Sequence, residues 1–179
     1  MKTEVKKVFP FVLIAAIVLG YLIWKHHLPW YELISDGFLL LFGGLAAISD
    51  LKTQQVPNRI VLLLLASWVL ELFLRLLFVQ EGISLFLLQS GSGCLIAGVV
   101  FLTVYILSKK GLGGGDVKFM AAAGLLLGGR AVLPVILIGS VLSSVICLVL
   151  ILLKKKKKTD TMPLIPFLYL GILLLLAAK

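Results

Sequence analysis

The chain is 179 residues long, 61% hydrophobic and 14% charged, with a mean hydropathy of +1.16. That leaves too few polar residues to cover a water-soluble fold, and no polar stretch is long enough for a separate soluble domain, so residues 1–179 read as one integral membrane unit. The formal net charge of +9 would suggest a nucleic-acid partner in a soluble protein. Here the basic residues stand between apolar runs, so they read as topology signals and no nucleic acid is expected.

In chain order, seven segments are apolar enough to cross a bilayer: 8–24, 33–49, 60–79, 83–107, 116–129, 131–153 and 162–178. The fold class is therefore an all-α polytopic membrane helical bundle of about six or seven transmembrane helices. The first segment has the basic start of a signal peptide but no small-x-small cleavage site, which makes it a retained helix. His26 and His27, just after it, are interfacial residues. Glu71 and Arg75 are spaced i, i+4 in the third segment, where an ion pair neutralises charge in a costly environment; its role reads as structural.

The fifth segment is short enough to be re-entrant, and charge decides against that. With Lys2, Lys6 and Lys7 inside, seven crossings leave Lys52 and Arg59, then Lys109 and Lys110, then Lys154 to Lys158 on the cytoplasmic side. Removing the fifth crossing would export the five-lysine run. The protein is thus expected in the cell membrane with its amino terminus cytoplasmic, and the lysine run also suits anionic lipid. Cys94 and Cys147 lie inside apolar segments and form no CxxC pair, so they read as packing residues and no metal or cofactor is expected.

This topology brings two polar loops to one face: ISDLKTQQVPNRI after the second segment and KKGLGGGDVK before the fifth. Asp50 ends an apolar helix, and Pro57 bars the helix from continuing. Alone, Asp50 reads as a solvated interface residue. Asp116 reads as an N-cap, with its carboxylate accepting backbone N–H groups. Capping does not explain Gly111, Gly113, Gly114 and Gly115 before it, which point to unusual dihedrals or a close backbone approach. A phosphate loop is excluded by the lack of a Gly-Lys-Ser/Thr sequence. Together the loops offer two carboxyls beside an extended, accessible backbone, which suits aspartyl proteolysis: one carboxylate takes a proton from water while the other carboxyl polarises the scissile carbonyl.

These residues resemble the type IV prepilin peptidases, a branch of the GxGD membrane aspartyl proteases. Gly113-Gly114-Gly115-Asp116 fits GxGD, with Lys118 and the glycines through Gly128 resembling its continuation. Asp50 followed by LKTQQVPN resembles the family's other aspartate element, and MPLIPFLYLG, Met162 to Gly171, the start of its last helix. The resemblance implies that Asp50 and Asp116 are catalytic and that a basic leader is cut from prepilin-like or pseudopilin-like substrates at the cytoplasmic face. Gly113, Gly114, Gly115, Lys118, Pro57 and Asn58 are then the substrate-side residues. Many members carry two zinc-binding CxxC pairs linked to N-methylation; this chain has none, so neither zinc nor methyl transfer is expected. A presenilin-type protease is disfavoured because Asp50 follows Ser49 and precedes a Pro-Asn turn. The alternative from another class is a scaffold or small transporter using the two aspartates as an ion site.

Overall fold

A computed structural model describes residues 17, 20, 21, 30–79, 82–108, 112–154 and 162–178. The elements among the described residues are all helical: α1 (Trp30–Thr53), α2 (Asn58–Phe78), α3 (Ile83–Leu107), α4 (Gly114–Leu152) and α5 (Ile165–Ala178). The all-α membrane bundle predicted from hydropathy is the observed architecture, since four of these helices are long and apolar enough to cross a membrane. The predicted crossing at 8–24 falls, apart from three residues, outside the described residues, as do His26, His27 and Lys155 to Lys158.

The segments predicted at 116–129 and 131–153 follow one another without a loop as α4, and the break between them falls at Gly128. Gly128 has φ 75° and ψ 164°, a conformation essentially restricted to glycine. The chain reverses there. In the first limb, Ala121 lies against Gly98 and Gly124 against Gly93 as the limb leaves the Asp116 end. In the second limb, Val135 meets Gly171 and Gly139 meets Leu168, so it returns toward the start of α5. A sharp glycine reversal keeps helical hydrogen bonding on both sides, so no loop separates the limbs.

Small residues let these helices approach closely, as expected where lipid supplies no hydrophobic drive for association. A Cβ on Gly93 or Gly124 would run into the other residue's carbonyl, so α3 and the first limb of α4 meet backbone to backbone. Similarly, a Cβ on Gly139 would stand 2.8 Å from the Leu168 Cα. The interior is apolar and dense around Tyr169, Phe119, Leu39 and Leu64, all of them fully or almost fully buried. Leu62, Phe73, Leu88, Leu95 and Val141 stay exposed on outer faces, as a lipid-facing surface requires.

At one end of the bundle the carboxyl end of α1 meets the amino ends of α2, α4 and α5. Three positive helix ends thus converge where the two predicted loops lie.

Candidate active site

The α1–α2 connection is built by the side chains that flank it. α1 ends at Thr53 because Gln54 takes a left-handed conformation (φ 52°), and its N–H closes on the Asp50 carbonyl at 2.9 Å. The Ser49 and Thr53 hydroxyls both donate to the Gln55 carbonyl, at 3.0 and 3.3 Å. Val56 is then turned inward and buried, and Pro57, extended at φ −64° and ψ 136°, caps α2 just before Asn58.

The glycine loop docks against this turn. A Cβ on Gly115 would lie 2.9 Å from the Val56 carbonyl oxygen and 3.3 Å from its nitrogen. The sequence assigns all three glycines to substrate contact; Gly115 also admits the protein's own Val56 backbone, while the space around Gly114 is open. Gly113 is the N-cap of α4, which corrects the reading of Asp116 as the cap. Asp116 is at the third helical position and its carboxylate reaches back to the Gly113 amide, half of a capping box. A Cβ at position 113 would stand 3.2 Å from Asp116 Oδ2, so glycine there gives the carboxylate the most room to reach back.

Asp50 reaches the same end from the last turns of α1. It is 2% exposed, Asp116 is 8% exposed, and the charge of Asp50 acts on Asp116. Asp50 Oδ2 accepts the Ile165 N–H at 3.0 Å, and the Leu164 amide also acts on it, so the start of α5 is bound to this carboxylate. The two aspartates singled out from the sequence are therefore brought together. Beside Asp116 opens a cleft of about 490 Å³ lined by Gln54, Gln55, Val56, Pro57, Asn58, Gly113, Gly114, Gly115 and Asp116; Asp50 stands behind Asp116, outside this lining. Five of the six predicted substrate-side residues line it; Lys118 is exposed and stands outside the lining. Gln54 and Gln55, which sequence reasoning passed over, add amide donors and acceptors to the cleft. Their place between Asp50 and Pro57 was the available signal.

The sequence profile of the type IV leader peptidase family matches residues 37–151, a stretch that holds both aspartates and both loops. The chain belongs to the type IV leader peptidase family. A prepilin leader peptidase/N-methyltransferase of Stutzerimonas stutzeri is 32% identical over 154 residues, covering 81% of this chain. This family member spans about half the length of that relative, 50% of it. No solved structure matches. Within the family-matched region lie α1 from Gly37 onward, α2, α3 and α4 through Ile151, whereas α5 follows it.

Proposed function

We propose that this chain is a membrane aspartyl endopeptidase that removes the basic leader from type IV prepilin-like precursors at the cytoplasmic face of the membrane. The observation that carries the reading is the meeting of Asp50 and Asp116, distant in sequence, as two buried carboxyls beside an open, backbone-lined cleft. The family match and the activity named for the Stutzerimonas relative point the same way. The described helices act as a single transmembrane peptidase unit, with Lys52, Arg59 and Lys154 on the cytoplasmic side as topology anchors.

The chemistry follows from the pair. Two neighbouring buried carboxyls resist double ionisation, so they share one proton and titrate as a unit. The ionised carboxyl takes a proton from water as the water oxygen bonds to the scissile carbonyl carbon, and the protonated carboxyl gives its proton to the carbonyl oxygen. When the resulting diol collapses, the C–N bond breaks, the amine leaves with a proton, and the pair regains its single shared proton. Gly113, Gly114, Pro57 and Asn58 hold the extended substrate backbone along the cleft; Gly115 holds the two loops together behind it.

The test is co-expression with a leader-bearing prepilin, comparing the wild type with Asp50→Asn and Asp116→Asn at matched protein levels. Leader removal is expected to stop in both variants. Normal cleavage by either variant breaks the dyad assignment, and normal cleavage by both leaves an ion site in a scaffold or transporter as the better reading.

A further inference from the structure

The stretch Met162 to Gly171 lies at the opening of α5, beyond the part of the chain that matches the family. The Phe167 and Leu168 amides both donate to the Leu164 carbonyl, at 3.1 and 3.2 Å, which makes Leu164 the cap of α5 and Ile165 its first helical residue. The first N–H groups of a helix have no acceptor within it. Pro166 has no N–H at all, so Ile165 supplies the donor at the tip, beside the Leu164 amide that also acts on Asp50, and the Ile165 donor meets Asp50 Oδ2 at 3.0 Å. Ile165 is fully buried, as is Tyr169 one turn later, which packs on Gly43 and Gly44 of α1. The donor is thus fixed to the same helix that carries its acceptor.

We infer that the Leu164–Pro166 opening of α5 is the positioning element of Asp50, its Ile165 N–H holding the carboxylate in the orientation that the reaction needs. The inference rests on the proposed peptidase reading and adds a helix to the site that neither aspartate motif contains. A bond that served only to cap α5 would support stability and leave turnover unchanged; a positioning bond acts on turnover. Asp116, held by the amide of its own N-cap, needs no such outside support.

Position 165 allows a clean test, because proline is well tolerated at the first helical position and asks of Leu164 only the extended conformation usual for a cap. Ile165→Pro removes the donor. Ile165→Ala keeps the donor and removes more of the buried side chain. In vesicles, with a leader-bearing prepilin as substrate, Ile165→Pro is expected to lower kcat roughly 10- to 100-fold with KM within about twofold, the scale of one hydrogen bond to a charged group. Ile165→Ala is expected to melt earlier while its kcat stays within about threefold of the wild type. If the proline variant is not recovered folded, replacing Ile165 by its α-hydroxy acid removes the N–H and keeps the side chain, and the same fall in kcat is expected. Equal losses of kcat in the alanine and donor-deleted variants, or a wild-type kcat without the donor, overturn the inference. Asp50→Asn separates the two levels: if it is inactive while the donor-deleted protein is normal, only the positioning role fails, and if it is active the dyad assignment fails with it.

Discussion

Near the start of α1, Glu32 and Asp36 lie by Glu71 and Arg75 of α2; near its end, Asp50 lies by Asp116 of α4. Both regions bury acids, but they compensate them differently. In the first, the Arg75 guanidinium donates to Glu71 Oε1 at 2.9 and 3.1 Å, stands 3.6 Å from Glu32, and lies over the rings of Tyr31 and Phe86 at 4.6 and 4.3 Å. In the second, the carboxyls take backbone amides from Ile165, Leu164 and Gly113 and act on one another. A fixed cation commits a carboxylate to neutralisation, whereas amide donors orient a carboxyl and leave its proton exchangeable. The first arrangement joins helices; the second is suited to moving protons beside a cleft.

The largest effect that sharpens this contrast is Asp116→Asn, which is expected to lower leader cleavage by about 10² to 10⁴, the usual range for a general acid or base, while the melting temperature in detergent stays near that of the wild type. Arg75→Ala should do the reverse. It leaves Glu71, 3% exposed, without its guanidinium partner and is expected to cost about 3 to 5 kcal/mol in denaturant unfolding, the penalty for breaking a buried pair, with cleavage per folded molecule unchanged. A loss of turnover in folded Arg75→Ala protein would erase the distinction between the two regions.

The glycine loop gives a finer comparison. Gly115→Ala puts a methyl 2.9 Å from the Val56 carbonyl, so the two loops must separate by a few tenths of an ångström. On the order of a tenfold fall in kcat is expected from that displacement. Gly114→Ala meets no protein atom within 4 Å and is expected to leave kcat within about twofold while raising KM, because its methyl enters the cleft that holds the substrate backbone. Equal kinetics for the two alanine variants would show that the docking of Gly115 on Val56 does not hold the site.

These contrasts also mark how far the sequence could be read. Asp50 and Asp116 were legible because each is the charged end of an apolar run beside a backbone-breaking motif, and the Glu71–Arg75 pair because helical spacing alone brings i and i+4 together. Asp36 was not. One acid in the second turn of a long apolar helix looks like an interface residue, and that it is buried with its charge acting on Glu71 of α2 follows from how the two helices pack. The same holds for the Gly115–Val56 contact and the Ile165–Asp50 bond, which join residues whose proximity is set by tertiary packing and not by periodicity. Hydropathy placed α3 to the residue and divided α4 close to Gly128, where the chain turns; what it did not show is that a single glycine makes that turn without a polar loop.

The central claim is that Asp50 and Asp116 work as one unit. Purified protein in vesicles, given a leader-bearing prepilin, allows kcat to be measured for Asp50→Asn, Asp116→Asn and the double variant. Residues that share one catalytic task lose it together, so the double variant is predicted to be no slower than the slower single variant. Losses that multiply in the double variant, or a single variant with wild-type kcat, would contradict the account.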